Sequence, residues 1–144
     1  MEVKKVECTG KCYFVLLLAL FQFMECGILL IVMLKCKVQG FFAYVLLDLI
    51  LVMLCSIAIY FLLYWKNKKI VMSDNEIIYY PIIGKVRTYS WNDIKKIYYK
   101  SGLRGHSRLV IETEKKIYMD CEMMKNCGEI VKLIMKKGYL KTNI

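Results

Sequence analysis

GKVRTYSWNDIKKIYYK, residues 84–100, holds two β-prone runs separated by one polar step, Ser90-Trp91-Asn92-Asp93. Branched and aromatic side chains fill the runs, and these types suit a pleated, half-buried surface. At the step, Asp93 can satisfy backbone donors at a turn while Trp91 and Ile94 plug a core. The reading is a structural corner, Trp91-Asp93-Ile94, where the chain passes between strands. The competing reading is an exposed Trp91 waiting for a ligand.

The same grammar extends outward. Before the corner come residues 69–72, a Ser73-Asp74-Asn75 turn cluster, and EIIYYPII at 76–83, in which Pro81 marks an edge or bend. Gly84-Lys85 then turns into residues 86–91. After the corner, IKKIYYK leads to the glycine-rich loop SGLRGH. RLVIET and KIYMD then pair as a hairpin across Glu114-Lys115. Six short strands predict an antiparallel sheet curled into a small sandwich or barrel. Beyond it, Cys127, Ile130, Val131, Ile134 and Met135 recur at helical spacing, predicting an amphipathic helix of about 14 residues. Asn126 and Glu129 have capping-box spacing at its start, and Gly138 follows a basic last turn.

Everything before this module is different. Residues 13–34 carry only Gln22 and Glu25 as strongly polar groups, and residues 41–65 carry Asp48 as the only charge. At a rise of about 1.5 Å per residue, each run can cross a hydrocarbon core of about 30 Å. The first is too long for a signal-peptide core and lacks a small-residue cleavage pattern. The expected organisation is an N-terminal tail (1–12), a transmembrane hairpin (13–65) and a folded module (66–144). Lys4, Lys5, Lys11, Lys66, Lys68 and Lys69 flank the outer ends, against Lys35 and Lys37 in the connecting loop. That bias favours a cell membrane protein with both termini cytoplasmic. Seven cysteines without a disulfide-like spacing fit a reducing compartment.

Charge is equally uneven. The formal net charge is +10, and residues 66–144 carry 17 Lys and Arg against 8 Asp and Glu. Such a surface is drawn to polyanions, and for an anchored chain the headgroups are nearest. Within the spans, Glu25 and Asp48 are predicted at similar depth. Buried acids in lipid are costly, so they are expected to contact protein: each other across the hairpin, another copy, or a partner. A shared-proton pair is the sharper reading.

The strand order followed by one terminal helix resembles the pleckstrin-homology-like (PH-like) fold, in particular small bacterial PH-like domains that follow one or two membrane spans. EIIYYPIIGK, VRTYSW, SWNDIKKI, RLVIETEKKIYM and the terminal helix carry the likeness, over about residues 68–140. The resemblance implies an α+β module that binds protein segments or lipid headgroups. Lys85 and Arg87 alternate onto one side of an extended run, where they resemble the early-hairpin cations of lipid-binding PH domains. With Lys95, Lys96, Arg104 and Arg108, which flank the next strands and loop, they are the candidate anion-binding residues. Lys66, Lys68 and Lys69 are juxtamembrane cations. A merely solvated basic surface is the alternative.

Catalysis is not expected. His106 is the only histidine and lies in the glycine-rich loop, no paired CxxC or phosphate-binding glycine motif occurs, and Cys121 and Cys127 read as ordinary thiols. No metal or cofactor is implied. The functional expectation is therefore a non-catalytic, membrane-tethered interaction module, with membrane lipids and a protein partner or homo-oligomer at the hairpin. The alternative is a small subunit of a larger transport or envelope-biogenesis complex. Nucleic acid is not an expected partner, because most tyrosines fall where a core is needed rather than on a stacking surface.

Overall fold

The computed structural model describes residues 5–35, 40–101 and 107–140. Two proline-free apolar runs become α1 (Tyr13–Lys35) and α2 (Phe41–Asn67), both long and apolar enough to cross a membrane. They pack on each other through small and slender side chains. Ala19, Cys26 and Met33 of α1 recur every seven residues and are buried, as is Ala58 of α2. Cys26 and Cys55 meet at 3.5 Å. The outward faces are bare: Leu46, Leu49 and Val52 are 60%, 63% and 64% exposed. A soluble protein does not leave an apolar surface of that extent in water.

The tail contributes a strand. β1 (Val6–Thr9) precedes the hairpin, yet it pairs antiparallel with β2 (Lys69–Met72), which follows it. Residues 6–9 of the N-terminal tail thus form the edge of the first sheet. Since one sheet joins the two outer ends of the hairpin, those ends lie on the same side of whatever the hairpin crosses.

That sheet continues through β3 (Glu76–Tyr80) and β4 (Arg87–Ser90) in the order β1-β2-β3-β4. The Ser73 hydroxyl accepts from the amides of Asn75 and Glu76 and holds the β2–β3 turn. Pro81, which has no N–H for a ladder, ends β3. The second sheet is a meander, β5 (Lys96–Ser101), β6 (Ser107–Glu112) and β7 (Lys116–Asp120). The fold class is α+β; among the described residues there are seven antiparallel strands in two sheets and no closed barrel.

Between the sheets stands the corner, a single 3-10 turn at Trp91–Asp93. The Asp93 carboxylate accepts from the Ser90 amide at 2.7 Å, and the Ser90 hydroxyl accepts from Asn92 at 3.3 Å. Trp91 is buried, and its indole N–H donates to the Ser73 carbonyl at 2.9 Å. Ile94 is buried beside it. The core draws Ile70, Met72 and Ile77 from one sheet and Leu109, Ile111, Ile117 and Met119 from the other.

α3 (Cys127–Lys136) closes it with Ile130 and Ile134, both fully buried. It has ten residues instead of the expected fourteen. Its Asn126 cap is left-handed, with φ 63° and no side-chain capping bond, so the expected capping box does not form. Cys121 and Cys127 are joined in a disulfide, not free thiols as the sequence suggested. Thr9 and Lys125 exchange backbone hydrogen bonds of 3.2 and 2.8 Å, tying β1 to the entrance of α3.

Candidate functional site

The switch from helix to strand at residues 66–69 organises the most distinctive surface. Lys68 is already extended (φ −65°, ψ 115°), and its amide reaches back to the Tyr64 carbonyl at 3.0 Å. Three lysines thus straddle a change of backbone direction. Gly10 brings in a fourth: its amide donates to the Lys68 carbonyl at 2.7 Å, which sets Lys11 beside the end of α2. A Cβ on Gly10 would stand 2.5 Å from the Tyr64 carbonyl oxygen and 3.1 Å from Lys68 Cβ, so this approach requires glycine.

The β3–β4 loop, residues 81–86, supplies the opposite wall. Asn67 donates from its side-chain amide to the Ile82 carbonyl at 2.9 Å and fixes the loop beside the last turn of α2. Gly84 has φ 114°, a conformation other residues adopt only with strain. The walls enclose a groove of about 910 Å³.

Its chemistry is two-sided. Lys11, Lys66, Lys68 and Lys69 line it against a single carboxylate, Glu7. In the sheet register Thr9, Lys69 and Tyr80 lie abreast, and Glu7 stands two positions along the same face. That diagonal explains the Lys69–Glu7 ion pair at 2.8 Å. The Lys69 ammonium also lies 5.5 Å from the Tyr80 ring centroid, and Lys11 lies 6.0 Å from that of Trp65. Lys11 and Lys66 make no ion pair among the described residues. The apolar lining comes from Leu63 of α2 and from Ile82, Ile83 and Val86 of the loop. Ile83 is 76% exposed.

Lys68 differs from its neighbours. It is only 5% exposed, and its ammonium donates to the Tyr79 hydroxyl at 3.1 Å and lies over that ring. It has no carboxylate partner among the described residues. Nearby, burial pushes the Cys8 thiol up to about 12, with Lys68 pulling the other way.

The five described candidate anion-binding residues do not converge. Lys85 is exposed in the loop, between two groove-lining residues, Gly84 and Val86. Arg87 is half-buried at the start of β4, opposite Tyr79. Lys95 precedes β5 and its amide donates to the Glu112 carbonyl, while Lys96 begins β5 opposite that residue. Arg108 sits four positions further along β6 and is ion-paired to Asp120. Arg104 and His106 lie outside the described residues. What the sequence reading missed is the assembly of the flanking lysines, Lys11 included, with Asn67, Glu7 and the loop. The run of lysines at the hairpin exit was the available signal.

The two acids of the hairpin are also apart. The Cys26–Cys55 contact levels Glu25 with Ser56, leaving Asp48 eight residues, about 12 Å, nearer the connecting loop. Glu25 accepts from the side-chain amide of Gln22 on its own helix, and Asp48 is exposed. A smaller hollow of about 310 Å³ lies between Phe14 and Leu18 of α1 and the Arg108–Asp120 pair. No three His, Cys, Asp or Glu side chains gather in a metal-holding group among the described residues. Comparison with protein-family models, curated proteins and solved structures gives no match.

Proposed function

We propose that this chain is a non-catalytic interaction module tethered to the cytoplasmic face of a cell membrane by its hairpin, engaging anionic headgroups with the hairpin-proximal surface. The observation that carries the reading is the groove: four lysines against one glutamate, built where α2 leaves its apolar run. Each exposed lysine held near an anionic leaflet contributes about 1 kcal/mol. Lys11 and Lys66, the two of the set neither buried nor ion-paired among the described residues, therefore favour this surface facing the headgroups. The PH-like resemblance of the sequence supports binding over catalysis by analogy of fold. The cytoplasmic side rests on the lysine bias alone. The Cys121–Cys127 disulfide removes the support that cysteine spacing lent to a reducing compartment.

The test is hydrogen exchange of the full chain in nanodiscs of neutral lipid and of 30% anionic lipid. Slower exchange of residues 66–69 and 80–86 in the anionic discs, with residues 95–100 unchanged, is the expected result. Identical exchange in both discs refutes the reading.

A second reading, a subunit of a larger membrane complex, is favoured by one observation. Asp48 carries a carboxyl on an exposed face of an otherwise apolar helix, where lipid is a poor neighbour. Loss of a co-purifying protein, or of self-association, in Asp48→Leu supports it, whereas a monomer with and without the substitution argues against it.

A further inference from the structure

We infer that the groove is a binding site for one acidic glycerophospholipid, taking its phosphate at Lys11 and Lys66 and its upper acyl chain along Leu63, Ile82 and Ile83. The inference rests on the headgroup reading above and adds stoichiometry and chain contact to it. A basic surface that merely faces a bilayer needs no cavity, yet this one has about 910 Å³. Its lining also changes character along α2. Leu63 lies one helical turn, about 6 Å, before Asn67 and belongs to the apolar run, whereas Lys66 and Asn67 end it. A phospholipid has the same order of polarity, with the phosphate outward and the chains inward.

Across from the helix, the Asn67–Ile82 hydrogen bond holds the loop level with this boundary, so Ile83 is displayed where acyl carbons begin. Two exposed lysines without ion-pair partners among the described residues and an exposed isoleucine on opposite walls fit one amphiphile better than a soluble anion. Glu7 sets the strength of the site by occupying Lys69.

The experiment is native mass spectrometry of the full chain in mild detergent with equal amounts of phosphatidylglycerol and phosphatidylcholine bearing the same chains. One phosphatidylglycerol retained per chain is expected. Lys66→Ala should weaken it about fivefold, the worth of one lysine near an anionic headgroup. Glu7→Gln, which releases Lys69, should strengthen it by a similar factor. Ile83→Ser should weaken both lipids at least about tenfold, since burying an isoleucine side chain is worth about ten- to a hundredfold.

If the lysine and Glu7 variants change retention while Ile83→Ser and Leu63→Ala do not, the single-lipid site falls and the headgroup reading stands. Equal retention of the two lipids in the wild-type chain overturns both. Displacement of phosphatidylglycerol by an equal concentration of glycerol 1-phosphate also overturns the lipid assignment, because the ligand is then a soluble phosphate ester.

Discussion

The two sheets of the module handle their cations in opposite ways. On the second sheet, Arg108 pairs with Asp120 and Lys116 with Glu112, each across neighbouring strands, so these cations meet a carboxylate directly opposite. At the hairpin end of the first sheet, four lysines from β1's exit, α2 and β2 meet one glutamate. Both regions are basic in sequence, but only the second arrangement leaves positive charge around a cavity. What makes a site is therefore topological: segments distant along the chain bring like charges together, at a cost in repulsion that local neighbours would have cancelled.

The comparison can be broken most severely at the element that holds the sheets together. Trp91→Ala removes a buried ring and its bond to Ser73, and should cost about 3–5 kcal/mol, read as loss of protected strand amides from both sheets at once. Loss confined to one sheet would show that the two fold independently.

Gly10→Val acts on the groove side only. Its side chain would collide with the Tyr64 carbonyl, and overpacking of this kind costs about 1–3 kcal/mol. Hydrogen exchange should quicken in β1 and β2 while the amides of β6 keep their protection.

Charge removal sharpens the contrast further. Lys11→Ala with Lys66→Ala should weaken association with anionic nanodiscs by about 2 kcal/mol, and Lys95→Ala with Lys96→Ala by much less. Equal losses from the two pairs, measured by anionic-lipid titration, would dissolve the distinction.

A smaller effect is expected at high pH. The Cys8 thiol ionises near 9 when unfolded but at about 12 when folded, so it holds its proton in the folded chain alone between those values. Stability should fall as pH rises above about 9, by about 1.4 kcal/mol per unit from this group. At pH 10 the wild-type chain should have lost about that much more than Cys8→Ala, each measured against its own stability at pH 8.

Least of all, Arg108→Ala should cost about 0.2–1 kcal/mol, since its side chain is more than half exposed and the pair it breaks is largely solvated. Urea unfolding monitored by circular dichroism will resolve it from zero only at the upper end.

Local sequence pattern revealed what local physics controls. The corner was legible because Ser90, Asp93 and the amides they satisfy lie within four residues. The strands from β2 to β7 were legible from alternation and turns, and the hairpin from its apolar length. β1 was not, because Val6–Thr9 is four residues holding a glutamate and a cysteine, and it becomes a strand only by meeting β2 across the hairpin. The groove was hidden for the same reason. Lys11 and Lys69 are 58 positions apart, and nothing at either position announces the Gly10–Lys68 contact that unites them. The Asn126 capping box failed because its backbone is left-handed there, next to a disulfide that spacing did not disclose.

The placement of β1 has a consequence for biosynthesis. The first strand is translated before either apolar run, and its partner β2 only after both. The sheet cannot close until the second run has been threaded back, so a nascent chain that inserts one helix alone leaves β1 and β2 on opposite faces of the bilayer. Such a chain lacks an edge strand, exposes β2 and cannot seat Gly10. Completion of the sheet therefore requires that both outer ends of the hairpin stand on one side.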